Sequence, residues 1–451
     1  MKLRELIEFS NGKLIGEADL EKEISKFSID SRIVDDSTFF IPLKGENSDG
    51  HDYINSAFEK GAIGTFTSKE IDATQGKAII KVDDTLVAMQ NVAKKLREKI
   101  KNIPLIAITG SVGKTTTKDM VYAVLNSKYR TLKTKGNFNN NIGMPLTLIN
   151  YANEEAIVLE MGMNHLGEIS FLSDIAKPDA AIIINVGHSH IGNLGSRENI
   201  LKAKMEIVDG MANDGTLVIN GDNDMLKTVK NVKQKLIKFG FKDANDVTAY
   251  NIRVSDNATE FMVKEDEKEY KVKLNLVGEN FIYNALAAWV IGKIYGIIPE
   301  DRVKALANCE FTKMRMNIET KNDIILINDC YNASPESMKV ALEALSKQEA
   351  KRKIAILGDM LELGEYSDKL HEEVGENVAK NKIDKLYTVG KLAKNIKQGA
   401  INEGMDEQNI KSFNTLEELL NELKNLIQKG DAVLVKASRA MSFEKIINEL
   451  V

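Results

Sequence analysis

A glycine-rich segment at residues 105–118, LIAITGSVGKTTTK, has the residue types and spacing of a phosphate-binding loop. Apolar residues predict a buried strand that runs into a turn, and Lys114 and Thr115 open a predicted helix. Backbone N–H groups in such a turn point at phosphate oxygens, the lysine reaches the β- and γ-phosphates, and the threonine hydroxyl ligates Mg²⁺. The segment predicts ATP or GTP binding by a loop made of Gly110, Ser111, Val112, Gly113, Lys114, Thr115 and Thr116.

The loop departs from the general pattern G-x-x-x-x-G-K-[ST], because Ile108 stands where the first glycine is expected. The shorter pattern G-x-x-G-K-T remains. A lone Gly-Lys-Thr often marks only a turn before a helix. Here a strand, two glycines, a lysine and three threonines occur together, and this combination favours phosphate binding over a simple turn.

Further polar residues follow two other predicted strands. Glu160 ends strand 156–161, where its carboxylate can hold Mg²⁺, although a capping or ion-paired glutamate has the same pattern. His188 and His190 follow strand 180–186, either as a metal pair or as ordinary loop residues. We expect Glu160 and His190 to end neighbouring strands, because open α/β sheets bind ligands at the carboxyl ends of their strands. Lys204 by itself shows only the pattern of a solvated helix face.

Strand and helix patterns alternate along most of the chain, which predicts an α/β fold with three domains. We expect residues 1–100 to form an N-terminal α/β domain, and residues 101–312 a central P-loop domain with a doubly wound, mostly parallel sheet. Residues 313–451 are expected to form a smaller, C-terminal Rossmann-like α/β domain. Between residues 247 and 277 the hydrophobic period changes to two, which predicts an antiparallel extension. Other predicted strands are 23–29, 38–42, 64–67, 78–82, 216–220, 324–328, 353–357, 385–389 and 432–435, and predicted helices include 84–101 and 281–295.

Composition limits the class of protein. The 451 residues exceed what one hydrophobic core usually supports, and 43% hydrophobic with 28% charged residues is typical of a folded globular chain. The net charge of −5 and the lack of a basic tract disfavour a nucleic-acid partner. We find neither a signal peptide nor an apolar run long enough to span a membrane, and the two cysteines, Cys309 and Cys330, have no metal-like spacing. A reducing cytoplasm is the expected compartment.

Motifs along nearly the whole chain resemble the Mur ligases of peptidoglycan synthesis. The first block carries FSIDSR (27–32) and FFIPLKGENSDGHDY (39–53). The middle block adds GNFNNNIGMPLTL (136–148), EMGMNHLGEI (160–169) and NVGHSHIGNLGSRENILKAKMEI (185–207) to the phosphate loop, and the third block has NDCYNASPESM (328–338), LGDMLELGEYSDKLH (357–371) and VLVKASRAMSFEKII (433–447). The NASPES and LGDMLELG stretches are most similar to the member that joins D-alanyl-D-alanine to UDP-N-acetylmuramoyl-tripeptide.

The resemblance implies roles for individual residues. Lys114 would contact the terminal phosphates. Mg²⁺ would be held by Thr115, Glu160 and His190. Lys204 matches a lysine that carries a carbamate in several members. The family's adenine-binding pattern G-x-H-N-x-x-N falls on Gly278 to Asn284, where only Asn284 retains the expected amide. The family's carboxyl-terminal pattern K-G-S-R appears as K-A-S-R at Lys436 to Arg439. The implied nucleotide contacts from the third block are Arg315 and Asp329, and the implied substrate-binding residues are Ser31, Arg32, Asn137, Asn140 and Asn141.

The resemblance also implies the reaction. ATP would convert a carboxylate of UDP-N-acetylmuramoyl-tripeptide to an acyl phosphate, which the amine of D-alanyl-D-alanine would attack, with Mg²⁺ as cofactor and the protein as a cytoplasmic monomer. The first block would hold the uridine nucleotide, the central block ATP, and the third block the dipeptide. No side-chain nucleophile is required, and Cys330 is interpreted as a small packed residue. The alternatives are a sister Mur ligase, a ligase similar to folylpolyglutamate synthetase, and an ATP-driven regulatory switch.

Overall fold

A computed structural model describes residues 1–255, 258–312 and 317–450. Within these residues the strands form three sheets, of five, nine and six strands, and most neighbouring strands run parallel. Helices connect the parallel strands, so the fold is α/β with one sheet in each of the three blocks, as predicted. In the same part of the chain, every helix is too short or too polar to cross a membrane.

The amino-terminal sheet has the strand order β1-β5-β4-β3-β2, and only the β1–β5 pair is antiparallel. Its strands are β1 (Lys13–Ile15), β2 (Lys26–Ser28), β3 (Thr38–Phe40), β4 (Gly64–Thr67) and β5 (Ala78–Lys81), and its helices are α1 (Leu3–Ser10), α2 (Ile54–Glu59) and α3 (Thr85–Lys99).

The central sheet contains the phosphate-loop strand near its middle. The strand order is β14-β13-β12-β11-β10-β9-β6-β8-β7. Its strands are β6 (Leu105–Thr109), β7 (Thr131–Lys133), β8 (Ala156–Glu160), β9 (Ala180–Ile183), β10 (Thr216–Asn220), β11 (Lys235–Gly240), β12 (Val247–Val254), β13 (Thr259–Glu265) and β14 (Lys268–Leu274). Its helices are α4 (Lys114–Asn126), α5 (Gly143–Ile149), α6 (Glu168–Ala176), α7 (Ile191–Leu194), α8 (Arg197–Met205), α9 (Asn280–Ile294) and α10 (Pro299–Ala307).

Of two predictions about this sheet, the structure confirms one and contradicts the other. The antiparallel extension is confirmed, because β12, β13 and β14 pair antiparallel in succession. The expectation that Glu160 and His190 end neighbouring strands is wrong, since β6 lies between β8 and β9 and pairs with both. Strand order in a doubly wound sheet depends on the crossover connections, which the hydrophobic pattern does not encode.

The carboxyl-terminal sheet has the order β15-β16-β20-β17-β18-β19, with only β15 and β16 antiparallel. Its strands are β15 (Asn317–Lys321), β16 (Ile324–Asn328), β17 (Arg352–Gly358), β18 (Lys385–Val389), β19 (Ile410–Phe413) and β20 (Asp431–Lys436). Its helices are α11 (Pro335–Ser346), α12 (Ser367–Lys380), α13 (Lys394–Asn402), α14 (Leu416–Leu426) and α15 (Glu444–Leu450). Short 3₁₀ turns occur in all three blocks, at Gly50–Tyr53, Glu206–Val208, Leu226–Thr228, Gly364–Tyr366, Glu407–Asn409 and Arg439–Met441.

A buried polar cluster joins the antiparallel extension to helices α9 and α10. Trp289 is fully buried and donates from Nε1 to Glu265 Oε2 at 2.5 Å. Arg302 donates to the same oxygen at 2.6 Å, and its guanidinium carbon lies 4.3 Å from the centre of the Trp289 ring. Because a buried carboxylate is tolerated only when it is paired, Arg302 is needed to compensate Glu265.

Arg302→Met should therefore lower the free energy of unfolding of the central block by about 3 kcal/mol, since it leaves Glu265 buried without its main partner. The measurement is urea denaturation followed by tryptophan fluorescence, because Trp289 is the only tryptophan of the chain and reports on this block. Lys271→Met, which removes the exposed pair with Glu260, is the control and should leave the midpoint unchanged. Equal midpoints for Arg302→Met and the parent would show that the cluster does not stabilise the block.

Candidate functional site

The turn between β6 and α4 has the geometry of a phosphate-binding loop. Gly113 caps the helix with φ at +87°, a conformation that side chains disfavour. A Cβ atom on Gly113 would lie 2.7 Å from Nδ2 of Asn284, so the approach of α9 also excludes one. Lys114, the first residue of α4, donates from Nζ to the carbonyl of Gly110 at 2.8 Å. The lysine is thus folded back over the loop, next to the N-terminus of the helix.

Asn185, which sequence reasoning did not select, holds the loop from the side of β9. Its side chain accepts a hydrogen bond from Val112 N and donates one to Val112 O, both at 2.9 Å. Its backbone carbonyl accepts from Ser111 N at 3.1 Å. The Ser111 hydroxyl in turn accepts from Gly187 N at 2.9 Å. The only sequence signal for this role is that Asn185 is the first polar residue after an apolar strand.

Glu160 and Thr115 meet at the carboxyl ends of β8 and β6. Thr115 Oγ1 donates to Glu160 Oε2 at 3.0 Å, and Asn139 Nδ2 donates to Glu160 Oε1 at 2.8 Å. The Glu160 side chain is only 1% exposed, which explains why each of its oxygens has a partner. A hydroxyl and a carboxylate in contact, next to a phosphate-binding loop, are the oxygen ligands that Mg²⁺ prefers.

The asparagine cluster of residues 137–141 divides into different roles. Asn139 is the member that contacts Glu160, and sequence reasoning missed it. Asn140 accepts hydrogen bonds from the backbone amides that start α5, and Asn141 accepts from Gln90 through its carbonyl. Asn137 is exposed. Four asparagines in five positions look alike in the sequence, and only the path of the loop separates them.

His190 points to the third block. Its Nδ1 lies 2.6 Å from Glu362 Oε2, in a charge contact that lacks the alignment of a hydrogen bond. This contact holds the pKa of the Glu362 carboxyl below its ordinary value. His188 likewise meets Glu336, whose Oε1 accepts from both the backbone N and Nδ1 of His188 at 2.7 Å. Burial raises the pKa of Glu336, but the hydrogen bonds from His188 and the helix backbone outweigh it and leave that pKa lowered.

The structure brings Thr115 and Glu160 into contact but pairs His190 with Glu362 instead. No group of three or more histidine, cysteine, aspartate or glutamate side chains that could hold a metal occurs in residues 1–255, 258–312 and 317–450. Any cation at Thr115 and Glu160 must therefore take further ligands from a substrate or from water.

Lys204 does not lie on a solvated helix face, so that interpretation was wrong. Its side chain is only 1% exposed. Burial lowers the pKa of the Lys204 ammonium well below its usual value, and the positive charge of Lys114 lowers it further. The pattern on α8 could not reveal this, because the surroundings of Lys204 include residues distant in sequence, among them Lys114 and Glu336.

A cavity lies between the phosphate loop and the third block. Its polar and apolar lining suits a nucleotide, which has charged phosphates and a flat, less polar base. On one side Asn284 donates to Thr117 Oγ1 at 2.8 Å, and the Tyr283 ring stacks on Phe241 with centroids 4.3 Å apart. The wall from the central block consists of Val112, Gly113, Thr115, Thr116, Ile184, Asn185, Asn220, Asn280, Phe281, Tyr283 and Asn284.

The opposite wall belongs to the third block. Asp329, Glu336, Ser337, Val340 and Lys436 line it. Asp329 forms a buried ion pair with Lys436, which also donates to the carbonyl of Asn332 at 2.9 Å. Asp329 thus lies beside the cavity, and its contact with a nucleotide stays a prediction. Arg315 lies outside the described residues.

Two other sequence candidates lie in the first block. Ser31 and Arg32 follow β2, and Arg32 is clamped to Asp30 through Nε and Nη2 at 2.9 and 2.8 Å. The guanidinium lowers the pKa of Asp30 to about 2. Arg32 is largely exposed, so its other nitrogens can reach a ligand. Cys330, in contrast, is buried, and burial raises the pKa of its thiol to about 11, which fits a packed residue.

Comparisons of this chain with family models and with curated proteins find the same family. Models described as Mur ligase family, catalytic domain; Mur ligase middle domain; and Mur ligase, glutamate ligase domain match residues 23–105, 108–292 and 314–439. A UDP-N-acetylmuramoyl-tripeptide–D-alanyl-D-alanine ligase from Bacillus subtilis is 39% identical over 100% of this chain and 98% of its own.

Solved structures agree with the sequence relatives. A crystal structure of MurF from Acinetobacter baumannii has a TM-score of 0.88 and 31% identity, covering 100% of this chain and 98% of its own. MurF ligase from Thermotoga maritima in complex with ADP has a TM-score of 0.80 and 30% identity, covering 95% and 97%.

Gly113→Ala should abolish detectable ATP binding while the chain stays folded. A methyl group at this position meets the Asn284 amide and a φ of +87°, so the loop must leave its present conformation. Isothermal titration calorimetry with ATP measures the effect, and circular dichroism confirms folding. Gly136→Ala provides a control, because Gly136 also has a positive φ but no atom within 4 Å of an added methyl group. If Gly113→Ala bound ATP like the parent, this turn would not be the phosphate site.

Proposed function

The chain belongs to the Mur ligase family, and we propose that it joins D-alanyl-D-alanine to UDP-N-acetylmuramoyl-tripeptide with consumption of ATP. The observation that carries this function is the full-length match to a ligase of that activity, together with the phosphate loop that faces the third block across one cavity. The products are UDP-N-acetylmuramoyl-pentapeptide, ADP and phosphate, and the reaction serves peptidoglycan precursor synthesis.

The chemistry follows from the poor reactivity of a carboxylate. The terminal carboxylate of the tripeptide attacks the γ-phosphorus of ATP, and the bond to ADP breaks, which yields an acyl phosphate. The free amine of the dipeptide then attacks the acyl carbon, loses a proton, and displaces phosphate. Lys114 and the backbone amides of the loop stabilise the charge that spreads over the transferred phosphoryl oxygens. Positioning of three substrates supplies the rest of the rate enhancement.

We further propose that Thr115 and Glu160 hold Mg²⁺, since their hydroxyl and carboxylate are in contact beside the loop. The ion would neutralise phosphate charge during transfer. Thr115 lies at the start of α4 and Glu160 at the end of β8, so regular elements hold both ligands rigidly. Asn139 keeps the second Glu160 oxygen in place.

Each block is proposed to hold one substrate. Residues 1–100 would bind the uridine nucleotide, with Arg32 exposed after β2, and residues 101–312 would bind ATP. Residues 313–451 would select the dipeptide, in a cavity of about 400 Å³. Leu361 and Ala333 offer apolar walls for methyl groups there, and Arg439 offers a cation for a terminal carboxylate. The cavity is lined by Ser189, His190, Asn332, Ala333, Ser334, Leu361, Glu362, Leu363, Ser438, Arg439 and Ala440.

We also propose that the protein acts as a monomer in the cytoplasm. ATP and nucleotide-linked sugars are substrates of that compartment.

An ADP-release assay tests the function, with the tripeptide substrate present and the dipeptide present or absent. We expect ADP release to require both substrates, and Lys114→Ala to lower the rate on the order of 100-fold or more because it removes charge stabilisation of the transferred group. Near-parental turnover by Lys114→Ala would contradict the loop assignment.

The same assay separates the alternatives. Replacing D-alanyl-D-alanine by single amino acids tests a sister ligase, and replacing the muramoyl substrate by a folate tests a folylpolyglutamate synthetase-like ligase. ADP release without any amino-acid substrate would instead support a regulatory switch.

Glu160→Gln should raise the Mg²⁺ concentration needed for the half-maximal rate, since an amide is a weaker ligand for a hard cation than a carboxylate. A Mg²⁺ titration of the initial rate at saturating ATP measures it. Glu168→Gln, in the first turn of α6 and nearby in sequence, is the matched control and should titrate like the parent. An unchanged titration for Glu160→Gln would assign Glu160 a structural role only.

A further inference from the structure

The loop after β9 is the part of the central block on which the third block rests. We call residues 187–195 the docking loop. Gly192 N donates to the carbonyl of Glu362 at 3.0 Å, and Tyr366 Oη donates to the carbonyl of Gly195 at 2.9 Å. Both partners belong to the segment that follows β17, so the LGDMLELGEY motif contacts the central block through its backbone and one phenol.

Two glutamates of the third block reach into the same loop. Glu336, in the first turn of α11, meets His188, and Glu362 meets His190. The second carboxylate oxygen of Glu336 is buried and has no hydrogen-bond partner among the described residues. Its contacts with His188 are therefore what hold this carboxylate at the boundary between the blocks.

Two glycines of the docking loop lie close against the third block. A Cβ atom on Gly187 would lie 2.4 Å from Glu336 Oε1, the end of a side chain that can move, whereas one on Gly192 would lie 2.5 Å from Gly364 N and 2.8 Å from the carbonyl oxygen of Glu362. Gly192 does not have a positive φ, so alanine would fit its backbone conformation. Only the approach of the third block's backbone excludes a methyl group at Gly192.

The close approach of the third block to the docking loop also places the N-terminus of α11 near the phosphate loop. A small cavity lies between the N-terminus of α4 and the N-terminus of α11. Lys114 and Thr115 line it from one side, and Asn332, Ser334 and Ser337 from the other. Helix N-termini attract anions, so both helices favour negative charge at the same place when the third block is docked.

We propose that the docking loop sets the position of the third block over the phosphate loop, and that Gly192 is a positioning residue for the transfer step. Gly192 lines neither the nucleotide cavity nor the dipeptide cavity described above. Its contribution is the absence of a side chain, which lets the backbone of residues 362–364 approach. The kinetic consequence rests on the proposed ligase function, whereas the position of the third block does not.

Gly192→Ala tests the proposal with two readouts. In the full chain with a non-hydrolysable ATP analogue, small-angle X-ray scattering should give a larger radius of gyration than for the parent. In the ligase assay, kcat should fall about 100-fold, as expected for a misplaced reacting group. The KM for ATP should stay within about twofold, because the phosphate loop is untouched.

The controls separate docking from folding. Gly404→Ala, in the third block and outside the cavities described above, is the matched control, since no atom lies within 4 Å of its added methyl, and it should change neither readout. Tyr366→Phe removes only the hydrogen bond to Gly195 and should shift both readouts in the same direction by a smaller amount, so the proposal is testable even if Gly192→Ala fails to fold.

Parental scattering and parental kcat for Gly192→Ala, or for Tyr366→Phe if the first variant does not fold, would overturn the proposal. Expanded scattering of Gly192→Ala, together with a parent that shows no ligase activity, would support docking while contradicting the proposed function.

Discussion

The conformation of Gly113 is the constraint on which the rest of the site depends. The turn from β6 into α4 has to present several backbone N–H groups in one direction, and a left-handed glycine at the helix start allows this. The turn is then held from two sides, by Asn185 after β9 and by Asn284 on α9. Because these asparagines lie 73 and 171 residues beyond the loop residues that they contact, the loop has its shape only when β9 and α9 are packed beside it.

Around this turn the strand order brings the candidate functional side chains together at the carboxyl ends of β6, β8 and β9. β6 lies between β8 and β9, so Thr115 reaches Glu160 on one side while the docking loop leaves on the other. The oxygens of Thr115 and Glu160 and the histidines that meet the third block are therefore separated by the phosphate loop itself. One side of the loop carries the oxygens that we propose hold Mg²⁺, and the other side carries contacts between the blocks.

The third block completes the site through loops rather than through its own sheet. Its contributions are Asp329 at the end of β16, the N-terminus of α11 and the segment after β17, all at the carboxyl edge of parallel strands. Asp329 is buried and forms its ion pair with Lys436 inside the block, whereas Glu336, with 33% of its side chain exposed, meets His188 across the boundary. The hydrogen bonds between Glu336 and His188 favour one relative position of the blocks, because they form only when the third block is docked.

The sequence by itself determined the class of fold, most long elements and the phosphate loop. β4, β10, β16 and β18 agree with prediction residue for residue, since apolar runs and glycine turns are local signals. Five strands were not predicted, because many of their residues are partly or fully exposed and form no apolar run. They are β1, β7, β11, β15 and β19. Tertiary structure alone decided the order of β6, β8 and β9, the choice of Asn139 over its neighbours, the burial of Lys204 and the pairing of His190 with Glu362. Each of these depends on contacts between residues distant in sequence, and a local pattern contains no information about which distant surface will cover it.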